Sequence, residues 1–249
     1  MKNIIVLFAI IVISSSTPLL AQQEVERALG DFKAVSVDYG IQAELLKGTS
    51  NKVVLTVSGT KEDKVTAEVV AGQLLLTFKN TKKLEGVSVS AKIYTTSAIE
   101  GIAVSNKATL SVKDVPAASS LKIVVTTGSK LDMTAKTQSA VVSIGRSAKA
   151  QLAIEATKLD ATISGKGRLD ITGKAELLKV NANTSGVYKG YGLQCQSLTA
   201  QAHGNGRAEV SVSETLVANV VSGGKVLYRG NPTLKVNNTG SGIVEKAED

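Results

Sequence analysis

Apolar and polar residues alternate along most of the chain, and from Leu121 to Val244 the alternation restarts about every nineteen positions. Successive restarts are 19, 19, 19, 20, 18 and 18 residues apart, and Ile102 lies another 19 residues upstream of the first. The restarts are Leu121, Ala140, Leu159, Leu178, Leu198, Leu216 and Leu234. A fixed short period of this kind indicates a solenoid, in which each copy buries its apolar face only against its neighbours.

Within each copy the apolar residues recur at every second position, which is the period of a β-strand and not of a helix. The series that we expect to point inward begins Leu121, Ile123, Val125; Ala140, Val142, Ile144; Leu159, Ala161, Ile163; and Leu178, Val180, Ala182. It continues as Leu198, Ala200, Ala202; Leu216, Ala218, Val220; and Leu234, Val236. The residues between them are mostly polar, so the other face is expected to meet water.

A small turn comes about five to seven residues after each restart, and all seven of these turns contain glycine. They read TTGS, SIGR, SGKG, TSGV, HGNG, SGGK and TGSG. Glycine permits the positive φ or close backbone approach that a sharp corner requires. A second short strand comes next, with inward residues such as Leu131, Met133, Leu169 and Ile171. A repeat of this length is too short for a crossover helix or a propeller blade, and it predicts one rung of a parallel β-helix with about 4.8 Å between rungs.

The region before the regular rungs also alternates, with less even spacing. We predict a lead-in over residues 22–33, a β-rich N-terminal portion or cap over 34–95 and regular β-helix rungs over 96–249. Ala71-Gly72 is typical of a tight turn, and the charged segment 79–85 is the best internal boundary. A cap is expected because a stacked rod leaves an unpaired strand edge at each end. Whether 34–95 forms wide rungs or a separate cap stays open.

Residues 1–21 have the layout of a secretory signal peptide: Lys2, an apolar run over 4–13 and a small-residue end at Ala21. We predict cleavage after Ala21 and an exported protein that is periplasmic, cell-surface or extracellular. No cysteine follows the predicted cleavage site directly, so the acylated-cysteine anchor of lipoproteins is not expected. The apolar run is too short for a stable membrane span, and no transmembrane segment is expected in the mature chain.

The formal net charge is +8, and removal of Lys2 with the signal peptide would leave +7. A basic exported protein is biased towards anionic partners, although scattered charges that only maintain solubility are the more economical interpretation. No run of Lys and Arg exceeds two residues. Cys195 is the single cysteine, so no intramolecular disulfide can form, and we expect it to be a small core residue.

Candidate catalytic chemistry is sparse. Aligning the second strands predicts an outward column of Asp132, Gln151, Asp170, Lys189, Glu209, Leu227 and Glu245. Asp132 and Asp170 would lie two rungs, or about 9.6 Å, apart, at the wide end of the separation used by inverting glycosidases. Because the column alternates with Gln, Lys and Leu, we interpret it as a solvated face and predict no catalytic residues. His203 is the only histidine and no D-x-D-x-D stretch occurs, so neither a metal site nor a cofactor is expected.

Ligand binding without catalysis is the stronger alternative. Tyr188, Tyr191 and Tyr228 with Arg229 fall in neighbouring rungs, and Tyr191, Arg229 and His203 are the candidate ligand-binding residues. Tyr188 and Tyr228 occupy inward registers and are expected in the core. The chain has no Trp and few exposed aromatic candidates, so no nucleic-acid partner is expected. The outward residues Val124, Val141, Val217 and Val221 hint at a surface for self-association, which leaves a homo-oligomer possible.

Several segments together resemble a known bacterial family. They are the opening strand FKAVSVDYGIQAELLKG, the run VVAGQLLLTF, the recurring Gly/Ser corners and the closing stretch LYRGNPTLKVNNTGSGIVEK. In these the chain resembles the putative auto-transporter adhesin, head GIN domain family, a group of exported domains of unknown function, over most of residues 32–246. The resemblance implies a right-handed parallel β-helix similar to the pectin-lyase group, a role in cell-surface adhesion and no established catalytic residues.

The function predicted from these features is a non-enzymatic, exported cell-envelope scaffold for adhesion, with an unidentified cell-surface protein or glycan as partner. Two alternatives stay open: a polysaccharide-binding or polysaccharide-active β-helix, and a structural envelope subunit that self-associates.

Overall fold

The computed structural model describes residues 23–82 and 84–248, so the predicted signal peptide and its cleavage site lie outside the described residues. About 70% of the chain is strand, and a short 3₁₀ turn covers Glu62–Lys64. The strands are β1 (Gln23–Ala28), β2 (Ala34–Val37), β3 (Gln42–Lys47), β4 (Lys52–Ser58), β5 (Val65–Val70), β6 (Gln73–Phe78), β7 (Ser88–Thr95), β8 (Ile99–Val104), β9 (Thr109–Lys113), β10 (Ala117–Val125), β11 (Lys130–Ile144), β12 (Lys149–Ile163), β13 (Arg168–Asn183), β14 (Val187–His203), β15 (Arg207–Val221), β16 (Lys225–Arg229), β17 (Thr233–Thr239) and β18 (Ile243–Lys246).

The strands coil into a solenoid of about eight turns, which confirms the predicted all-β parallel β-helix. Each of the long strands β11 to β15 contains the second strand of one rung and the first strand of the next. The register between β11 and β12 pairs Lys130 with Lys149 and Ala140 with Leu159, an offset of 19 residues. β13 continues the same ladder in parallel. Stacking at this offset is the structural cause of the nineteen-residue period.

The predicted inward series forms the core. Leu121, Ile123 and Val125 are no more than 1% exposed, and the corresponding residues of the next rungs are equally buried. The series ends at the last rung, where Leu234 and Val236 are 41% and 42% exposed. Both occupy inward registers on β17, whose only paired neighbour in the described chain is β15. The loss of burial therefore follows from having a rung on one side alone.

The corners between the two strands of a rung, from Asp38–Ile41 to Val221–Gly224, are type I′ turns. Their two central residues have positive φ, for example Arg146 (48°) and Ser147 (62°), and the N–H of Ala148 donates to the carbonyl of Gly145 over 3.0 Å. This turn matches the right-handed twist of the strands it joins. Neighbouring corners are also bonded to each other, since the N–H of Ser147 donates to the carbonyl of Gly165 over 2.9 Å.

The N-terminal end is built differently, because β4 and β5 run against the direction of the rungs. β2 and β3 form a first rung that pairs in parallel with β8 and β9 on one side and with β6 and β7 on the other. β5 then pairs antiparallel with β6, and β4 pairs antiparallel with β7 and β1. Arg27 on β1 donates to the carbonyl of Val65 and to the carboxylate of Glu62, at 2.9 and 2.7 Å. We call these strands, β1 and β4 to β7, the N-terminal cap, because they pair beyond the first rung and leave its edge covered.

The outward valines do not form one continuous patch. Val141 and Val217 lie in the same column of the stacked sheet, and Asp160, Lys179 and Thr199 separate them. Val221 lies in a corner, in register with His203.

Candidate functional site

The outer face of the second strands carries the charged column that the sequence predicts. Strand registers place Asp132, Gln151, Asp170, Lys189, Glu209, Leu227 and Glu245 beside one another in that order. Arg168 grips Asp170 with two hydrogen bonds of 2.6 and 2.9 Å, and this contact raises the pKa of the Arg168 guanidinium above its ordinary value. Arg207 donates to Glu209 over 2.8 Å. Two of the carboxylates are therefore held in ion pairs with arginines on their own strands.

The ladder is interrupted by a bulge in β14. Gly190 pairs with Val210 and Gln194 pairs with Ser211, so residues 191–193 have no counterpart on β15. A side chain at Gly190 would meet the Tyr188 ring, since a Cβ there would lie 2.2 Å from Cε1. The hydroxyl of Ser211 donates to the carbonyl of Tyr191 over 2.8 Å and holds the bulged segment against β15. The bulge presents Tyr191 away from the regular pleat, as bulges near functional sites often do.

Tyr191 and Arg229 are brought into contact by this bulge. The Arg229 guanidinium carbon lies 4.4 Å from the centroid of the Tyr191 ring, which is a cation–π arrangement. Arg229 also donates from Nη2 to the carbonyl of Glu248 over 3.1 Å, while its buried Nε has no hydrogen-bond partner within the described chain. Burial, assisted by the charge of Glu209, raises the pKa of the Tyr191 phenol. The hydroxyl therefore stays protonated at neutral pH and can donate a hydrogen bond.

Each member of this pair lines a different groove. One groove of about 960 Å³ runs past Arg229, Asn231, Gln194 and Gln196, and one of about 480 Å³ runs along the charged column to Tyr191. The larger groove is also lined by Lys174, Glu176, Ser211 and Ser213. Amide, hydroxyl and charged groups together are suited to a hydroxyl-rich ligand such as a glycan, because each can donate or accept hydrogen bonds.

Cys195 lies in the wall of the larger groove and packs into the core. It is 4% exposed, and its thiol donates to the carbonyl of Ser211 over 3.2 Å. Burial raises its pKa to about 12, so almost no thiolate exists at neutral pH. The thiol is a small core residue, as its sequence context predicts.

The remaining tyrosines and the histidine are placed elsewhere. Tyr188 is fully buried, and Tyr228 packs partly buried against the core, in agreement with their inward registers. His203 opens the corner of its rung, where its carbonyl accepts from Gly206 over 3.1 Å, and it lines neither groove. The structure thus joins two of the three candidate binding residues and separates the third.

Within residues 23–82 and 84–248, no group of three His, Cys, Asp or Glu side chains lies close enough together to hold a metal ion. Over the same residues, no helix is long and apolar enough to cross a membrane.

The fold defines the class of protein: it is a parallel β-helix with short turns, an N-terminal cap and grooves on its surface. More specifically, the chain belongs to the family described as putative auto-transporter adhesin, head GIN domain, which matches residues 31–232. None of the curated proteins matches the chain significantly.

Solved structures share the whole architecture. A putative adhesin from Parabacteroides distasonis superimposes with a TM-score of 0.84 at 24% identity, covering 91% of this chain and 97% of its own. A putative adhesin from Parabacteroides merdae gives 0.82 at 18% identity, covering 91% and 96%. A putative lipid binding protein from Parabacteroides distasonis gives 0.79 at 17% identity, again covering 91% and 96%. At these identities the likeness establishes a common fold.

Proposed function

We propose that this protein is a non-enzymatic, exported component of the bacterial cell envelope that uses its β-helix as a rigid adhesive surface. The observation that carries the proposal is the contact between Tyr191, which lines one groove, and Arg229, which lines the other, on a fold shared with proteins described as putative adhesins. Family membership points to surface interaction as the general role. The partner is a cell-surface glycan or protein.

The proposed binding residues sit on a firm support. β14 and β15, which carry Tyr191 and the Ser211 that fixes it, are paired in parallel on both sides of the bulge. A cation–π contact and a polar groove that are already assembled cost little reorganisation when a ligand arrives. Apart from Gly230 and Asn231, both grooves are lined by residues of β11 to β16, so no long loop encloses them. This favours contact with an extended ligand over enclosure of a small substrate.

Absence of catalysis is part of the proposal and is argued from the carboxylates. Hydrolysis of a glycosidic bond needs one carboxyl group as acid and a second as base or nucleophile, aimed at the same bond. Here Asp170 and Glu209 are engaged by Arg168 and Arg207, and Gln151 and Lys189 lie between the acidic members of the column. A polysaccharide-active enzyme is therefore the weaker alternative.

The test is attachment of the exported, purified protein to intact bacterial cells and to an array of neutral and anionic glycans. Tyr191→Ala should reduce attachment about tenfold, because an aromatic contact is worth roughly 1 kcal/mol beyond its buried area. Tyr39→Ala is the matched control, since Tyr39 is exposed at the corner of the first rung. Equal losses of attachment in both variants would refute the proposed site. A wild-type protein that attaches to neither cells nor glycans would refute the proposed role.

The same preparation decides between the alternatives. New reducing ends released from a bound glycan would establish an enzyme. A molar mass in solution that rises with concentration, in the absence of any ligand, would favour a self-associating envelope subunit. N-terminal sequencing of the exported protein tests cleavage after Ala21, since a mature chain that begins elsewhere contradicts that prediction.

A further inference from the structure

One edge of the solenoid collects positive charge that is dispersed in the sequence. We define the corner edge as the seven four-residue turns that follow the first-rung corner at Asp38–Ile41, each together with the strand residue after it. It comprises residues 105–109, 126–130, 145–149, 164–168, 183–187, 203–207 and 221–225. These segments read SNKAT, TTGSK, GRSAK, SGKGR, NTSGV, HGNGR and VSGGK, and none contains Asp or Glu. The chain has 21 acidic residues, and the nearest one in a neighbouring corner is Asp38 of the first rung, whose carboxylate accepts from Ser105 and Asn106. The acid-free edge therefore begins beyond that contact.

The cations of the corner edge are aligned along the rod. Lys130, Lys149 and Arg168 stand in register on three successive rungs, one step of about 4.8 Å apart. Arg207 and Lys225 continue the column beyond the uncharged Val187. Runs of Lys and Arg along the chain give no sign of this row, because its members are separated by about nineteen residues in sequence.

The N-terminal half of the edge keeps its charge available. Arg168, Arg207 and Lys225 form ion pairs with Asp170, Glu209 and Glu245 of the neighbouring charged column. The exposed cations before them form no ion pair within the described chain. They are Lys107, Lys130, Arg146, Lys149 and Lys166. Five unpaired cations on four adjacent corners produce a local positive potential that like-charged neighbours reinforce.

The backbone of the corners adds donors to this edge. Within residues 23–82 and 84–248, the N–H groups of Thr127, Arg146 and Gly165 have no protein acceptor, because the turn bonds and the rung-to-rung bonds use the N–H groups of the later turn residues. Turn N–H groups of this kind are recurrent contributors to anion sites. The hydroxyls of Thr127 and Ser147 lie in the same turns, whereas the hydroxyl of Ser105 donates to the Asp38 carboxylate over 2.8 Å.

We infer that the corner edge, from Lys107 to Arg168, binds an acidic polysaccharide that lies along the rod axis, with carboxylates on the cations and sugar hydroxyls on the turn hydroxyls and N–H groups. The inference rests on the proposed adhesive function and names the class of its partner. Nucleic acid is the poorer fit, because the corner edge has no Phe, Tyr or Trp on which bases could stack.

The experiment measures binding of the purified exported protein to immobilised polygalacturonate, with neutral dextran as the uncharged control. The edge variant combines Lys130→Gln, Arg146→Gln and Lys149→Gln. The matched control combines Lys122→Gln, Lys179→Gln and Lys235→Gln. These substitutions remove the same charge from one column on the first strands, and none of the three residues belongs to the corner edge. We expect the edge variant to bind about tenfold more weakly than the wild type, since three exposed charge contacts are lost together.

The outcomes separate this inference from the proposed function. Equal weakening in the edge variant and the control would show a general charge effect and overturn the inference, as would binding to dextran at the same strength. Tighter binding of a single-stranded DNA oligonucleotide than of polygalacturonate, lost in the edge variant, would replace the polysaccharide with a nucleic acid. If the wild-type protein attaches to cells but does not bind polygalacturonate, the adhesive function stands and the inference about the corner edge is wrong. Should the triple variant unfold early, Lys149→Gln and Lys122→Gln give the same comparison singly.

Discussion

At the scale of single residues, the behaviour of Cys195 is decided by its surroundings. Its side chain lies on β14 just after the bulge and is buried, with its thiol on the carbonyl of Ser211. An unfolded thiol ionises near the ordinary pKa of 9.0, whereas the native thiol holds its proton to a pKa of about 12. The native state therefore keeps a proton that the unfolded state gives up as the pH rises.

This difference predicts a stability that falls with alkaline pH. Below pH 9 both states carry the proton and the contribution of Cys195 is complete, and between pH 9 and 12 it is progressively lost because only the unfolded thiol ionises. Urea midpoints measured from pH 8 to 10.5 should fall less steeply for Cys195→Ala than for the wild type. The comparison of slopes removes the constant cost of the smaller side chain, and parallel profiles would contradict the shift.

At the scale of elements, the type I′ corners contain a source of strain. Thr127 adopts a φ of 53° although a β-branched residue is poorly suited to the left-handed region, and Gly128 follows it with a φ of 72°. The ladder of bonds between corners keeps Thr127 in place, since the N–H of Lys107 donates to its carbonyl over 2.9 Å. The corner is thus maintained by its neighbours as well as by its own residues.

Relieving that strain should stabilise the protein. Thr127→Asn creates an Asn-Gly pair, the preferred sequence of a type I′ turn, and should raise the free energy of unfolding by about 1 kcal/mol. Thr134→Asn is the matched control, because Thr134 is an exposed residue in the middle of β11 with ordinary extended backbone. We expect no gain there from urea titration. Stabilisation of both variants to the same extent would show that asparagine acts for some other reason.

The elements also show what a sequence of this kind reveals. The inward registers of β10 to β15 follow from alternation at a fixed period, because each rung repeats the same burial. The 20-residue step between Leu178 and Leu198 reflects one extra residue in β14, because Gly190 and Tyr191 lie opposite the single residue Ile171 of β13. Towards β15 the pairing offset falls from 20 residues at Gly190 to 18 at Leu198, which gives the 18-residue step to Leu216. Contact of Tyr191 with Arg229 depends on the bulge in β14, so spacing alone placed the two residues in neighbouring rungs but gave no distance.

Two features escape one-dimensional patterns for a physical reason. The corner edge joins cations nineteen residues apart, and its charge is visible only after the corners are aligned by register. In the cap, β4 and β7 alternate as the rungs do, yet they pair antiparallel. Alternation reports which face of a strand is buried and carries no information about the direction of its neighbour, which long-range packing decides.

At the scale of the whole molecule, stability should fall along the axis from the capped end to the last rung. In a solenoid each rung is stabilised chiefly by its immediate neighbours, so an end with a neighbour on one side opens most easily. All residues of β17 are exposed, whereas alternate residues of β12 are buried. Hydrogen exchange should therefore be faster for the amides of β17 than for those of β12.

Two leucines of one column measure this gradient with the same substitution. Leu178 and Leu234 occupy equivalent inward positions in the ladder from β13 to β17, but they are 4% and 41% exposed. Leu178→Ala should lower the free energy of unfolding by about 2–5 kcal/mol because it leaves a cavity in the core. Leu234→Ala should cost less than about 1 kcal/mol, since the partly exposed side chain gives up little buried area. Equal costs in urea titration, together with equal exchange of β12 and β17, would mean that the last rung is covered in solution and that the axis has no weak end.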